Sequence, residues 1–251
     1  MFFFFNDTAT TEIYTRSLVG QRQMCIRDRF MKAKSIKAKS TEEFKSALEQ
    51  SMTDGFQPTL AICFISKSQD RTAISNLLDA AGISVFGCTT NGEFTDEEPD
   101  KGSAAVLLLD MNRDHFQIYF EEYPDKNYRE VSKGIAQKAK AIFPLPAFLI
   151  GISNAAADGE EVLRGIEEVT GSAVNAFGGA AGADYTFTET FVFTNGKDSD
   201  NAMLCIALDE SKVKIKGIAT CGWRPVGTEK IVTKSEGNHV YTVDDLSLIH
   251  I

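Results

Sequence analysis

Two glycine-rich segments carry the residue types best suited to holding a small polar ligand. Residues 87–93 combine glycines with threonine, asparagine and glutamate, and residues 178–184 combine glycines and alanines with a terminal aspartate. Glycine lets a ligand approach backbone N–H groups closely, while hydroxyl, amide and carboxylate groups can orient it. The structural alternative is that small residues let two strand ends pass closely while the carboxylates cap turns. The candidate binding residues are Cys88, Thr89, Thr90, Asn91, Glu93, Gly178, Gly179 and Asp184.

A third candidate segment is the loop 221–227, which contains the only tryptophan of the sequence, Trp223, next to Arg224. An arginine guanidinium can bind a carboxylate through two parallel hydrogen bonds. We therefore add Trp223 and Arg224 to the candidate binding residues. A packed turn with a solvated arginine explains the same residues, and both interpretations stay open at this point.

Cys88 stands where a strand turns into a loop, which defines an enzyme alternative with Cys88 as nucleophile. Such catalysis needs a histidine base held by a third group. His115 and His239 are the candidates, and neither lies in a recognisable cysteine-enzyme signature. We therefore expect Cys88 to be a small structural residue and the chain to be non-catalytic.

The sequence contains no pattern typical of a metal or phosphate site. No cysteine pair has ligand spacing, and no G-x-x-x-x-G-K-[ST] loop occurs. A haem can be held by a single axial histidine, so His239, two residues before Tyr241, keeps haem open as an alternative. We expect no other cofactor.

The composition is that of a soluble globular protein. The chain has 251 residues, 43% of them hydrophobic and 24% charged, with a formal net charge of −9. The excess of acidic residues argues against nucleic acid and anionic membrane surfaces as partners, since both bind proteins through clustered lysine and arginine. Scattered cysteines are typical of a reducing cytosol, so the expected location is cytoplasmic. The phenylalanine run at 2–5 is too short for a signal peptide or a membrane span.

Both ends of the chain resemble translated DNA from sequencing-library preparation. Residues 6–15 fit a library adapter, and residues 24–28 fit a transposon end. Residues 246–251 fit the same transposon end read from the opposite strand. We therefore expect residues 1–30 and 246–251 to be adapter-derived tails outside the fold, and the natural protein to continue beyond Asp245.

Apolar periodicity predicts the elements that position these residues. Helices are predicted near 41–52, 74–81, 131–142 and 162–169, with a capping box at Ser40 and Glu43 and glycine stops at Gly82 and Gly171. Strands are predicted near 60–66, 83–90, 104–109, 116–120, 148–152, 173–178, 190–194, 202–208 and 213–220, with a terminal hairpin around 236–238.

The same element order occurs twice along the chain. An ungapped alignment places residues 86–95 over 177–186, and 106–110 over 205–209 after extra residues that resemble one added strand. We predict an α/β fold of two αβαβββ-like repeats that share a core, with mixed sheets flanked by helices. The repeats cover about 31–124 and 125–245. Each candidate segment then follows the carboxyl end of a strand, where ligands bind in α/β sheets.

These segments together resemble the FIST N-terminal domain, a family of bacterial and archaeal sensory domains. The resemblance rests on residues 86–94, 176–184, 221–227 and 232–241, in that order. Asn91 stands where the family frequently has a small residue, and Trp223 stands where it frequently has a histidine. The identity of the ligand therefore stays open.

The resemblance implies a cytoplasmic sensory domain over 31–245 that binds a small ligand, for which amino acids have been proposed. It also implies partners: a following FIST C-terminal domain and kinase, chemotaxis or cyclase signalling domains. Some members are similar to haem-dependent nitric-oxide sensors. With a pocket between the repeats, Glu93, Asp184 and Arg224 would bind polar or charged groups, and Thr89, Thr90 and Asn91 would orient them.

Overall fold

The computed structural model describes residues 2–5, 31–95, 101–154, 157–183, 189–218, 226–236 and 239–248, with the backbone alone for 2–5. The chain divides into two compact units, Met1–Ile218 and Ala219–Ile251. None of the described helices has the length and apolar character needed to span a membrane.

The first unit contains four α-helices, two short 3-10 helices and twelve strands among its described residues. The helices are α1 (Thr41–Ser51), α2 (Arg71–Ala80), α3 (Tyr128–Ile142) and α4 (Gly159–Thr170). The strands are β1 (Phe2–Phe5), β2 (Lys32–Ala38), β3 (Leu60–Ser66), β4 (Ser84–Thr90), β5 (Ala104–Asp110), β6 (Phe116–Glu122), β7 (Pro146–Ile152), β8 (Ala176–Ala180), β9 (Val192–Thr194), β10 (Lys197–Ser199), β11 (Ala202–Asp209) and β12 (Ile215–Ile218).

Local side-chain chemistry sets the helix ends where the sequence predicts them. The Glu43 N–H donates to Ser40 Oγ at 3.2 Å, and the Glu43 carboxylate accepts from the Lys39 N–H at 2.7 Å, which completes the capping box. Gly82 and Gly171, which follow α2 and α4, have φ of +72° and +88°. Glycine adopts this left-handed backbone without steric cost, so both helices stop there.

The described strands of the first unit form two main sheets that pack face to face between two layers of helices. One sheet has the order β10-β9-β4-β3-β5-β2, and the other has the order β6-β11-β7-β8. Ile62 and Phe86 of the first sheet share a buried apolar cluster with Leu149 and Ile206 of the second. Helices α1 and α2 cover the outer face of the first sheet, and α3 and α4 cover that of the second. The predicted α/β class with mixed sheets is therefore confirmed.

The two sheets share one strand order, β4-β3-β5-β2 in the first and β8-β7-β11-β6 in the second. In each, the first pair is parallel and the other two are antiparallel. The unit common to both is thus βαβαββ, which begins one strand earlier than the predicted αβαβββ order. Strand β2, which the sequence analysis missed, is the first strand of the first repeat, and β6 is the first strand of the second repeat.

The strand register confirms the ungapped alignment of the repeats. Ile62 on β3 pairs with Phe86 on β4 and with Leu107 on β5. Leu149 on β7 pairs in the same way with Phe177 on β8 and with Ile206 on β11. Residues that are equivalent in the alignment therefore pair with equivalent residues on the neighbouring strands.

The extra residues of the second repeat form a hairpin, β9–β10, where the sequence predicted one added strand. This hairpin joins the first sheet, because Gly87 and Cys88 of β4 pair with Phe193 and Val192 of β9. The second repeat thereby contributes two strands to the sheet of the first.

The described residues of the second unit form a three-stranded antiparallel sheet of β13 (Val232–Glu236), β14 (His239–Val243) and β15 (Leu246–Ser247). Strands β13 and β14 flank the predicted hairpin turn, whose residues 237 and 238 lie outside the described residues. Short strands β1 and β15 fall in the adapter-like ends, and β1 pairs with β12. The origin of those ends stays a prediction.

The contact between α3 and α4 supplies a test of this packing. A Cβ on Gly165 of α4 would overlap the Ser132 hydroxyl and the Arg129 carbonyl oxygen, whereas a Cβ on Gly134 of α3 would meet nothing within 4 Å. We expect Gly165→Ala to lower the free energy of unfolding by about 1–3 kcal/mol through overpacking. Gly134→Ala should raise it by about 0.5–1 kcal/mol, because alanine favours the helix. Urea unfolding of both variants measures these changes. Equal changes in the free energy of unfolding for the two variants would contradict the close contact of α3 and α4 at Gly165.

Candidate functional site

The ends of β4 and β8 meet, and this brings the two glycine-rich segments together. The Gly182 N–H donates to the Thr89 carbonyl oxygen at 2.7 Å, and the Ala183 N–H donates to Asn91 Oδ1 at 2.9 Å. We call this contact between residues 87–93 and 178–183 the seam. Asn91 and Gly182 are equivalent in the repeat alignment, so the repeats touch through equivalent positions.

The seam requires glycine at residue 182. A Cβ there would lie 2.7 Å from Asn91 Oδ1 and 2.8 Å from the Asn91 backbone nitrogen. Cβ atoms do not approach other heavy atoms this closely, so a larger residue would separate the two segments. The close passage of strand ends, which the sequence analysis gave as the structural alternative, is thus present here.

Residues 189–191 connect the seam to the end of β7. Thr89 and Phe191 exchange hydrogen bonds: the Thr89 N–H donates to the Phe191 carbonyl at 3.0 Å, and the Phe191 N–H donates to Thr89 Oγ1 at 2.9 Å. One residue earlier, Thr190 Oγ1 accepts from the Asn154 N–H at 2.9 Å. This segment therefore contacts strand ends from both repeats.

Asn154 is a residue at this edge that the sequence analysis missed. Its φ is +76°, a left-handed conformation that asparagine tolerates better than most residues. Its Nδ2 donates to Asn201 Oδ1 at 3.0 Å. An asparagine two residues after the end of the apolar strand β7 was the available signal, since asparagine favours such turns.

Glu93 holds the loop after β4 onto the start of β5. Its side chain is buried, with 1% exposed, and one carboxylate oxygen accepts from the Thr90 hydroxyl at 2.6 Å. The other oxygen accepts from the Ser103 N–H at 3.2 Å. Both carboxylate oxygens therefore have partners inside the protein.

The predicted site residues differ in their access to solvent. Asn91 and Gly179 are exposed, and Thr90 and Gly178 are half-buried. Cys88, Thr89 and Glu93 are buried. Asp184, Trp223 and Arg224 lie outside the described residues, so their roles stay predictions.

The Cys88 thiol does not have the surroundings of a nucleophile. It is buried, and a Cβ on Gly151 would lie 2.5 Å from its sulfur, which shows how closely β7 packs on it. Burial raises the pKa of Cys88 to about 12, so the thiol is protonated at neutral pH. Because the thiolate is the reactive form, this favours the structural interpretation of Cys88.

The described surroundings of His239 do not fit a haem. Its side chain is exposed on β14, and no described side chain of the second unit is buried. A haem needs an apolar pocket around its axial ligand, which these residues do not form. The described residues also contain no group of three or more His, Cys, Asp or Glu able to hold a metal ion.

The Cys88 assignment can be tested by alkylation at pH 7.5 with peptide-resolved mass spectrometry. We expect Cys88, like the buried Cys63 and Cys205, to stay unlabelled in the folded protein, since burial raises the pKa of all three thiols. All three should react once urea unfolds the chain. Selective labelling of folded Cys88 would instead restore the nucleophile alternative.

The seam can be tested with a double-mutant cycle at Asn91 and Gly182. We expect Gly182→Ala to lower the free energy of unfolding by about 1–3 kcal/mol, since its Cβ would collide with Asn91. The same change should cost less in an Asn91→Ala background, which removes Oδ1 and Cγ but leaves the backbone nitrogen. Urea unfolding of the four proteins measures this coupling, and strictly additive effects would mean that the Asn91 side chain does not contact residue 182.

Comparison with known proteins agrees with the resemblance seen in the sequence. No curated protein matches the chain significantly. A family model, the FIST N domain, matches residues 59–246, which is more than half of the chain and includes both segments of the seam. The chain therefore belongs to the FIST N domain family, a family of sensory small-ligand domains.

Proposed function

We propose that this FIST N domain binds a small polar ligand at the seam and does so without catalysis. The observation that carries the proposal is the convergence of equivalent strand-end segments from both repeats, joined by the two hydrogen bonds of Asn91 and Thr89. Carboxyl ends of strands are the usual ligand positions in α/β sheets. An amino acid or another small acid is the ligand class that we favour.

Among the described residues, the β8 side of the seam is the side without a neighbouring strand. Among the described strands, β8 pairs with β7 alone, so its other edge presents backbone N–H and C=O groups. Gly179 and Ala180 on this strand are exposed, and the small side chains leave the backbone accessible. The equivalent edge of β4 is covered by β9. This difference favours one binding position rather than two.

The site residues then divide by role. Asn91, Thr90, Gly178 and Gly179 would contact the ligand, since they are exposed or half-buried. Buried Thr89 and Glu93 would hold the two segments in place through their internal hydrogen bonds. Asp184, Trp223 and Arg224 remain proposed ligand contacts on the basis of the family resemblance.

In this proposal the domain covers residues 31–245 and works in the cytoplasm. Its two repeats share one core, and its output goes to a FIST C-terminal domain and to signalling partners. If the ligand binds residues of both repeats, its binding would change the contact between the two repeats.

The experiment is a thermal-shift screen of the chain against amino acids and small organic acids. A ligand at 100 times its Kd should stabilise the fold by about 2.7 kcal/mol, and Tm should rise accordingly. Asn91→Ala should weaken the response about tenfold, because it removes an exposed amide from the seam.

Asn112→Ala is the matched control for this screen. Asn112 is also exposed, and its Oδ1 also accepts a backbone N–H, from Asp114 at 3.1 Å. It precedes β6 and belongs to neither segment of the seam. A Tm that no compound changes, or equal weakening by both substitutions, would reject the proposed site.

A further inference from the structure

The sequence contains two Asn-Gly pairs, Asn91-Gly92 and Asn195-Gly196, and the structure gives them different surroundings. In such a pair the backbone nitrogen of the glycine can attack the asparagine side chain, because glycine has no Cβ to obstruct the approach. Asn91 is exposed at the seam, so water reaches its amide. Asn195 is half-buried in the turn of the β9–β10 hairpin.

The groups that would react at Asn91 are accessible and oriented. The Gly92 N–H has no hydrogen-bond partner among the residues that the structure describes. The Ala183 N–H donates to Asn91 Oδ1 at 2.9 Å. Addition of a nitrogen to Cγ places negative charge on this oxygen, and a donor already aimed at the oxygen stabilises that charge. The hydrogen bond from Ala183 is therefore kept during the addition.

The amide of Asn195 is held at both ends. Its Oδ1 accepts from the Val85 N–H at 2.9 Å. Its Nδ2 donates to the Ile83 carbonyl oxygen at 2.9 Å and to Asp79 Oδ1 at 2.7 Å. Ring closure would have to rotate this amide and expel Nδ2, so both hydrogen bonds of that nitrogen would be lost. We therefore expect the folded protein to protect Asn195 until the hairpin opens locally.

We propose that Asn91 is a site of spontaneous deamidation in the folded protein. The Gly92 nitrogen loses its proton to hydroxide and forms a bond to Asn91 Cγ. The Cγ–Nδ2 bond then breaks, and ammonia leaves with a proton taken from water. Water opens the resulting succinimide ring at either carbonyl, which gives aspartate or isoaspartate. The net reaction exchanges ammonia for water and needs no other reactant.

Either product changes the seam. Aspartate keeps a side-chain oxygen for the Ala183 N–H but adds a negative charge. Isoaspartate carries the main chain through Cβ and Cγ, which lengthens the connection between β4 and Glu93 by one carbon atom. The contact between the repeats would therefore change as the chain ages. This inference does not rest on the binding function proposed for the seam.

The test is incubation of the folded whole chain at mildly alkaline pH, followed by peptide mapping with chromatographic separation of aspartyl and isoaspartyl peptides. Asn112 is the matched control in the same molecule, because it is exposed and its Oδ1 accepts from the Asp114 N–H at 3.1 Å, but Arg113 follows it. We expect Asn91 to convert at least about tenfold faster than Asn112 and Asn195, since Asn112 lacks the glycine and Asn195 must break hydrogen bonds. In urea, Asn195 should convert at a rate within about twofold of Asn91, because unfolding removes its protection.

Two substitutions connect the reaction to this pair. Gly92→Ala should slow the conversion of Asn91 about tenfold, because the added Cβ obstructs the approach of Cγ to the nitrogen. Asn91→Gln keeps an amide but needs a larger ring, so the acidic shift on native isoelectric focusing that develops in the parent chain should be absent. Urea unfolding checks that both variants are folded. Conversion of folded Asn91 no faster than that of Asn195 or Asn112, or a rate that Gly92→Ala leaves unchanged, would overturn the proposal.

Discussion

The apolar layer between the two sheets is the constraint on which the rest of the first unit depends. Each sheet is covered by helices on one face and by the other sheet on the opposite face, so β3, β7 and β11 are buried on both faces. Such strands need nearly continuous apolar sequence, and this is what residues 60–66, 146–152 and 202–209 provide. With the sheets locked face to face, the ends of β4 and β8 have to meet, and the seam follows from that packing.

The β9–β10 hairpin breaks the equivalence of the two repeats. It covers the edge of β4, whereas β8 has no such neighbour among the described strands. The same hairpin carries Asp198, whose carboxylate accepts two hydrogen bonds from the Arg71 guanidinium of α2. Phe191, just before β9, stacks on Arg71 and exchanges hydrogen bonds with Thr89 of the seam. One insertion therefore contacts both the seam and α2.

The sequence predicts the elements whose pattern is local. The helix caps at Ser40 and Gly82 and the apolar strands lie where the periodicity puts them. Strand β2 was missed because lysines interrupt its apolar pattern on an edge of the sheet. The contact of Arg71 with Asp198 was missed because the two residues stand 127 residues apart and meet only after the hairpin joins the other repeat's sheet. The burial of Glu93 was also hidden, since a glutamate in a polar segment usually lies in solvent.

The hydrogen bonds across the seam contribute little enough free energy for a bound ligand to change them, which a sensor needs and a rigid scaffold does not. The described hydrogen bonds that join its two segments directly are those from Gly182 and Ala183, and a typical hydrogen bond contributes a net ~0.5–1.5 kcal/mol. A tenfold preference of a ligand for one arrangement of the strand ends is worth about 1.4 kcal/mol, which is comparable to one such bond. A ligand that prefers one arrangement of the strand ends can therefore shift their positions by that difference in affinity. The apolar layer beneath involves many buried side chains, so the same ligand would leave it intact, and the change would be confined to the surface where the two repeats meet.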